Sequence, residues 1–205
     1  MKKIITVLFF LSAVALTQAK TTPYISVHGG VNQILETDWQ DTDPNSGSIE
    51  FDVAGTFDVA VGTSIADIPI RVELEYTWRK NDFDVIHTDG NPDQNGSRYD
   101  FTAHTLMGNV YYDFSFVKGP VVPYIFVGLG ATKVQLNTPD EDLDDTVFAG
   151  QTGVGAAWSI TDHILIDFKY RIMATADTEY NYPGGILSVD GLIYTELLAG
   201  IKFQF

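Results

Sequence analysis

The stretch Ile70-Arg71-Val72-Glu73-Leu74-Glu75-Tyr76-Thr77-Trp78-Arg79 alternates without a break between apolar residues and charged or hydroxyl-bearing ones. Successive side chains of a β-strand point to opposite faces, so this is a strand with one apolar and one charged face. Ile164 to Arg171 repeats the pattern, with Ile164, Ile166, Phe168 and Tyr170 on one side and Leu165, Asp167, Lys169 and Arg171 on the other. In a water-soluble sheet such strands would put charge in an apolar core or leave the apolar face bare to water. In a closed membrane barrel both faces are accommodated, one by lipid and one by the interior. The direction follows from energy, because each Arg or Lys turned to the bilayer midplane costs roughly 2 to 4 kcal/mol. The charged faces therefore point inward.

Working outward from these two strands, six more stretches have the glycine, aromatic and β-branched content of strands: Tyr24 to Asn32, Phe51 to Thr63, Phe101 to Phe114, Tyr124 to Val134, Val147 to Ile160 and Ile193 to Phe205. Eight is an even count, as single-chain bacterial barrels require. The links between them alternate in length: long at about 33–50, 80–98, 135–146 and 174–192, short at 65–69, 115–121 and 161–162. Short periplasmic turns and long extracellular loops are the habit of outer-membrane barrels. The fold expected is all-β, an eight-stranded antiparallel up-and-down transmembrane barrel with four long extracellular loops.

The first residues carry a second address. Met1-Lys2-Lys3 precedes an apolar run of 13 residues, Ile4 to Leu16, and then Thr17-Gln18-Ala19, with small residues where a signal peptidase needs them. The run is too short for a membrane-crossing helix of roughly 20 residues. Residues 1–19 are expected to be a signal peptide cleaved after Ala19, and residues 20–205 one barrel domain. No cysteine is present, so disulfides and thiolate metal sites are excluded.

Carrying the alternation to every strand predicts a lumen of Ser26, His28, Asp58, Arg71, Glu73, Glu75, Arg79, Asn109, Tyr111, Asp113, Gln151, Asp167, Lys169, Arg171, Glu196 and Lys202. An eight-stranded barrel is about wide enough for its own side chains, and buried charge must be paired. The five cations and six anions among these residues predict a packed ion-pair network rather than a water-filled pore. Gly128, Gly130, Gly153 and Gly155 would let bulky lumen partners approach the wall. Tyr112, Phe114, Phe116, Phe203 and Phe205 suit a periplasmic aromatic girdle, and Trp78 and Phe148 the opposite one.

Charge is distributed unevenly. The chain has 27 acidic and 12 basic residues; without Lys2 and Lys3 the bases number ten and the net charge is −17. Seventeen of the acids lie in the four long links, and no Lys or Arg falls between the first and last acid of any link. The rest is balanced. Self-repulsion predicts solvated, extended loops, suited to cationic partners or divalent ions. Asp41-Thr42-Asp43-Pro44-Asn45 and Asp140-Glu141-Asp142-Leu143-Asp144 set oxygens at alternate positions, yet neither has the Gly and Glu that complete an EF-hand loop. No metal site is assigned, and a weak loop-bridging calcium site stays open.

At Asn109-Val110-Tyr111-Tyr112-Asp113-Phe114, Pro123-Tyr124-Ile125-Phe126-Val127-Gly128-Leu129-Gly130, Lys169-Tyr170-Arg171 and Gly200-Ile201-Lys202-Phe203-Gln204-Phe205 the chain resembles the eight-stranded outer-membrane barrels of the OmpA, OmpX and opacity-protein type. The resemblance implies a surface protein serving adhesion, immune evasion or membrane integrity. It also implies that Gly200, Phe203 and Phe205 form the last-strand signal read by the outer-membrane assembly machinery, although Leu198 stands where that signal usually has a polar residue. Enzymes occur among small barrels, but His28, His87, His104 and His163 have no serine in an arranged motif; His104-Thr105 comes closest. No catalytic residue, cofactor or nucleic-acid partner is expected. The expected partners are outer-membrane lipid, the assembly machinery, and a host or environmental ligand at the acidic loops. A small porin and a soluble periplasmic binding barrel are the alternatives.

Overall fold

A computed structural model describes residues 21–35, 37–41, 46–51, 53–88, 94–95, 100–116, 119–137, 142–182, 185–189 and 191–205. Residues 1–19, expected to be a signal peptide, lie outside them. The strands are β1 (Thr21–Ile34), β2 (Thr37–Asp41), β3 (Ser46–Phe51), β4 (Ala54–Ile65), β5 (Ile70–Thr88), β6 (Gln94–Asn95), β7 (Asp100–Asp113), β8 (Val121–Asn137), β9 (Asp142–Ser159), β10 (Ile164–Thr175), β11 (Thr178–Tyr182), β12 (Gly185–Val189) and β13 (Ile193–Gln204).

Eight of them, β1, β4, β5, β7, β8, β9, β10 and β13, form a ring in which each pairs antiparallel with the next. The ring is closed by β1 on β13, from Tyr24 opposite Gln204 to Ile34 opposite Tyr194. Closure leaves no ladder edge within the wall, which is what a strand needs in order to stand in hydrocarbon. The two faces are chemically distinct. In β4 the side chains of Thr56, Asp58 and Ala60 are buried while Phe57, Val59 and Val61 are exposed; in β5, Arg71, Glu73, Glu75, Thr77 and Arg79 are buried while Leu74, Tyr76 and Trp78 are exposed. The exterior is thus an apolar band. At the short-turn end an edge-to-face chain of Tyr112, Phe114 and Phe116, and the pair Phe203 and Phe205, form its periplasmic girdle.

The long links are more ordered than charge repulsion alone suggests. β2, β3, β6, β11 and β12 lie within them and join the far end of β5 in a second sheet, ordered β11-β12-β2-β3-β5-β6. Phe51, expected to open the second barrel strand, belongs instead to β3, and β4 begins at Ala54. β5 serves both sheets: Arg71 to Arg79 pair with β4, and Phe83 to Thr88 with β3. The ladder shifts register between Glu50 and Phe51, near the point of transfer. Backbone pairing outweighs the repulsion because 46–51 and 83–88 carry β-branched and aromatic residues among their acids. Similarly, β8 and β9 continue to Asn137 and Asp142, which shortens the third link. Much of the acidic content, including Glu36, Asp43, Asp89, Asp93, Asp140, Glu141 and Asp190, lies outside the described residues, as do parts of both calcium-like stretches.

Candidate functional site

All sixteen side chains assigned to the lumen by alternation point inward, and fifteen of them are buried; Asp113, at the periplasmic mouth, keeps 20% of its side chain exposed. Pairing falls into three tiers. Nearest the short turns, Arg71 Nε donates to Asp113 at 2.7 Å, and its guanidinium lies over the rings of Tyr111 and Tyr124 at 4.3 and 4.9 Å. Tyr111, Tyr124, Phe126, Ala157 and Leu165 pack together here as an apolar plug. Glu73 departs from the expected ion pairing. It accepts hydrogen bonds from the hydroxyls of Tyr111 at 2.6 Å and Tyr24 at 2.8 Å, and Arg71 reaches the same Tyr24 hydroxyl at 3.3 Å.

In the middle tier Glu75 accepts from Lys169 Nζ at 2.7 Å, Arg171 Nη1 at 2.5 Å and Gln151 Nε2 at 3.2 Å. Beside it His28 lies between two carboxylates, with Nδ1 2.6 Å from Asp58 and Nε2 3.0 Å from Asp167. A neutral imidazole has one N–H, so only the imidazolium donates both bonds. With His28 charged, the six acids Asp58, Glu73, Glu75, Asp113, Asp167 and Glu196 face six cations, His28, Arg71, Arg79, Lys169, Arg171 and Lys202. Lys202 stands 3.6 Å from Asp167 and over the ring of Tyr24. Toward the extracellular end Glu196 receives both Arg79, through Nε at 2.5 Å and Nη2 at 3.1 Å, and Arg171 through Nε.

Small residues make room for these groups. A side chain at Gly155 would collide with the Tyr124 ring, and one at Gly200 with the His28 imidazole and the Val27 carbonyl. Gly128 lies against Asn109 and Gln151, Gly130 against Met107, and Gly153 against Phe126. Gly200→Val is accordingly expected to destabilise the barrel by about 1 to 3 kcal/mol through overpacking. Heat-dependent gel mobility of the folded form measures this, and an unchanged midpoint would refute the close approach.

The tyrosines of the network were legible only through parity: Tyr24 shares a face with Ser26 and His28, and Tyr124 with Gly128. His104 and Thr105 are separated by the same rule. Thr105 faces inward, 2.8 Å from Arg79 Nη1, whereas His104 faces outward with Nδ1 2.8 Å from the Tyr76 hydroxyl. Among the described residues no group of three or more metal-ligating side chains is poised to hold an ion.

A closed eight-stranded barrel, apolar outside and filled with paired charge inside, is an outer-membrane barrel, embedded in membrane lipid. The chain belongs to the outer membrane protein beta-barrel domain family, whose sequence profile matches residues 4–204. It is 32% identical over 131 residues to the outer membrane protein PagN of Salmonella typhimurium, a match covering 55% of this chain and 54% of PagN, so the chain spans about half the length of that relative. In fold it is similar to the Neisserial surface protein A, with a TM-score of 0.62, 18% identity, and coverage of 91% of this chain and 99% of that one. It is also similar to OprG of Pseudomonas aeruginosa, with a TM-score of 0.58, 14% identity, and coverage of 92% and 98%.

Proposed function

We propose that the protein is a surface-display barrel: the membrane-spanning part anchors, and the acidic extracellular links, with the sheet they build, contact host or environmental molecules. The observation that carries this reading is the filled lumen. Glu75, Arg79 and Arg171 are 0% exposed, and an apolar cluster fills the periplasmic end, so among the described residues neither a substrate path nor a binding cavity runs through the barrel. Working surface remains only outside. The links hold the chain's excess negative charge, which favours cationic partners and makes their capture sensitive to salt.

The protein is also proposed not to be an enzyme. His28 is enclosed by carboxylates, His163 Nδ1 is 3.1 Å from the Gln204 carbonyl with its ring stacked on Phe203, and His104 meets a tyrosine hydroxyl. Among the described residues, the ring hydrogen bonds of these three go to carboxylates, a backbone carbonyl and a tyrosine hydroxyl, not to a serine or threonine. Phe203 and Phe205, exposed on the outer face of the last strand, remain our candidates for the contact read by the assembly machinery. The third member of that signal, Gly200, has a packing duty of its own under His28.

Replacing residues 36–52 and 178–190 with short turns tests the display role. Partner binding by intact cells should be lost while heat-modifiable folding persists, since neither segment contributes a barrel strand. Loss of folding, or binding that survives the trimming, would overturn it.

A further inference from the structure

Seven of the eight seams of the barrel wall are continued beyond the membrane. Above β1 on β4 stands β2 on β3, above β4 on β5 stands β3 on β5, above β13 on β1 stands β12 on β2, and above β10 on β13 stands β11 on β12. The seams of β5 with β7, β7 with β8 and β8 with β9 rise on the barrel strands themselves, the last as far as Asn137 opposite Asp142. The eighth seam behaves differently. β9 and β10 pair up to Ala149 opposite Thr175, and one further bond joins the Ala176 N–H to the Phe148 carbonyl. Beyond that bond β11 passes near β9, yet among the described residues no ladder joins them.

The last bond fixes which groups line the open edge. The Phe148 carbonyl points toward β11, and along an antiparallel strand the N–H and C=O of successive residues point alternately to one neighbour and the other. Asp142, Asp144 and Thr146 therefore turn their backbone groups into the seam, and Leu143, Asp145 and Val147 turn theirs to β8. Thr146 agrees: its N–H is donated to the carboxylate of the adjacent Asp145, at 2.7 Å, and not across a ladder. A carboxylate thus holds a donor that a neighbouring strand would take. Phe148 is the last apolar residue on the outward parity of β9, which continues through Thr146, Asp144 and Asp142. Within hydrocarbon an unpaired edge is not tolerated. In water, beyond Phe148, it is a template on which another chain can pair.

Charge selects the occupant. β9 brings Asp142, Asp144 and Asp145 to the seam, β11 brings Glu179 with Asp177 just before it, and neither strand contains Lys or Arg. A second copy of these edges would set acids against acids. We propose, resting on the display reading above, that the open edge of β9 from Asp142 to Thr146 takes an extended basic segment of a partner protein as an added strand. Backbone hydrogen bonds to the edge supply pairing, as in other cases of strand addition, and the acids of both bordering strands select lysine and arginine side chains. The Asp145 carboxylate gives up the Thr146 N–H to the incoming carbonyl and is left facing a cationic chain.

The full chain, folded in nonionic detergent, is titrated with three synthetic probes: a short peptide of alternating lysine and threonine, the same peptide methylated on alternate backbone nitrogens, and its glutamate counterpart. Fluorescence anisotropy reads affinity, and amide exchange at Thr146 reads the ladder. The lysine peptide is expected to bind and to slow exchange at Thr146, and the glutamate peptide not to bind. The methylated peptide keeps its charge and should bind about ten-fold more weakly, through the loss of one or two ladder hydrogen bonds. Thr146→Pro deletes the N–H that faces the seam without touching the ladder to β8, and should lose about as much. Heat-dependent mobility checks its folding, and if it does not fold the methylated peptide on the wild type decides. No binding of the lysine peptide, equal binding of the methylated one, or undiminished binding by folded Thr146→Pro overturns the proposal. Dimers of the wild type that Thr146→Pro abolishes would give the seam to a second copy and overturn it too. If trimming residues 36–52 and 178–190 abolishes capture by cells while the lysine peptide fails to bind, the display reading stands and the seam alone falls. Peptide binding together with capture that survives trimming removes the display reading instead.

Discussion

Arg171→Leu is expected to cost the barrel a large fraction of its stability. The guanidinium joins Glu75 at 2.5 Å to Glu196 and lies 3.8 Å from Asp58, with its third nitrogen 3.3 Å from Thr77 Oγ1. Leucine matches much of the volume but leaves Glu75 with Lys169, and Glu196 with Arg79, as the cationic partner in an enclosed space. Removing one partner of a buried pair costs about 3 to 5 kcal/mol, since the charge left behind is poorly solvated there. Against a typical total of roughly 5 to 15 kcal/mol that is a large fraction. Arg171→Lys should fall between, because an ammonium keeps the charge but lacks the fork that reaches two carboxylates in different directions. Arg171→Leu/Glu75→Leu should regain part of the loss, as Lys169 still has Asp58 at 3.7 Å. The folded fraction after refolding into micelles, followed by urea midpoints, measures the series. A single variant as stable as the wild type would refute the network as a stabilising element.

In planar bilayers the wild-type protein is expected to give no stable single-channel steps. Water-filled channels are a property of 16- to 18-stranded barrels, whereas eight strands enclose about the volume their side chains occupy. Here the bore is occupied tier by tier: the Arg71 and Tyr111 stack, the Glu75, Lys169 and Arg171 cluster, and Arg79 against Glu196 with Tyr194 5.1 Å from its guanidinium. An ion entering would have to break paired charges rather than follow a wet path. Steps of reproducible size that change with Arg71 or Glu73 substitutions would reverse the assignment and restore the porin reading.

How far the sequence could be read depended on what each feature needs. Alternation in Ile70–Arg79 and Ile164–Arg171 is a local property, so those strands, their inward faces and the count of eight were legible. Which lumen groups meet is not local. Arg79 and Glu196 are 117 positions apart, and Tyr24 and Glu73 49. Their contact depends on strand stagger around the ring, which a parity argument does not supply. That is why Glu73 was assigned to the ion pairs although tyrosine hydroxyls hold it. It is also why the two carboxylates around His28, Asp58 and Asp167, were not foreseen as its partners. The strands of the outer sheet were missed for a different reason. β2 and β3 are short and interleaved with acids, glycine and serine, so their pattern is that of loops; pairing to the long β5 makes them strands.

β5 is a single strand of 19 residues that begins in the barrel wall and ends in the outer sheet. If the sheet grips a partner as proposed, a tug is carried into the wall along one continuous strand. Inside the wall the pull runs parallel to the strand and is shared by its ladders with β4 and β7, whose hydrogen bonds must shear together instead of peeling apart singly. For a molecule holding a cell against flow, such a tether would yield at the grip before it yielded at the anchor.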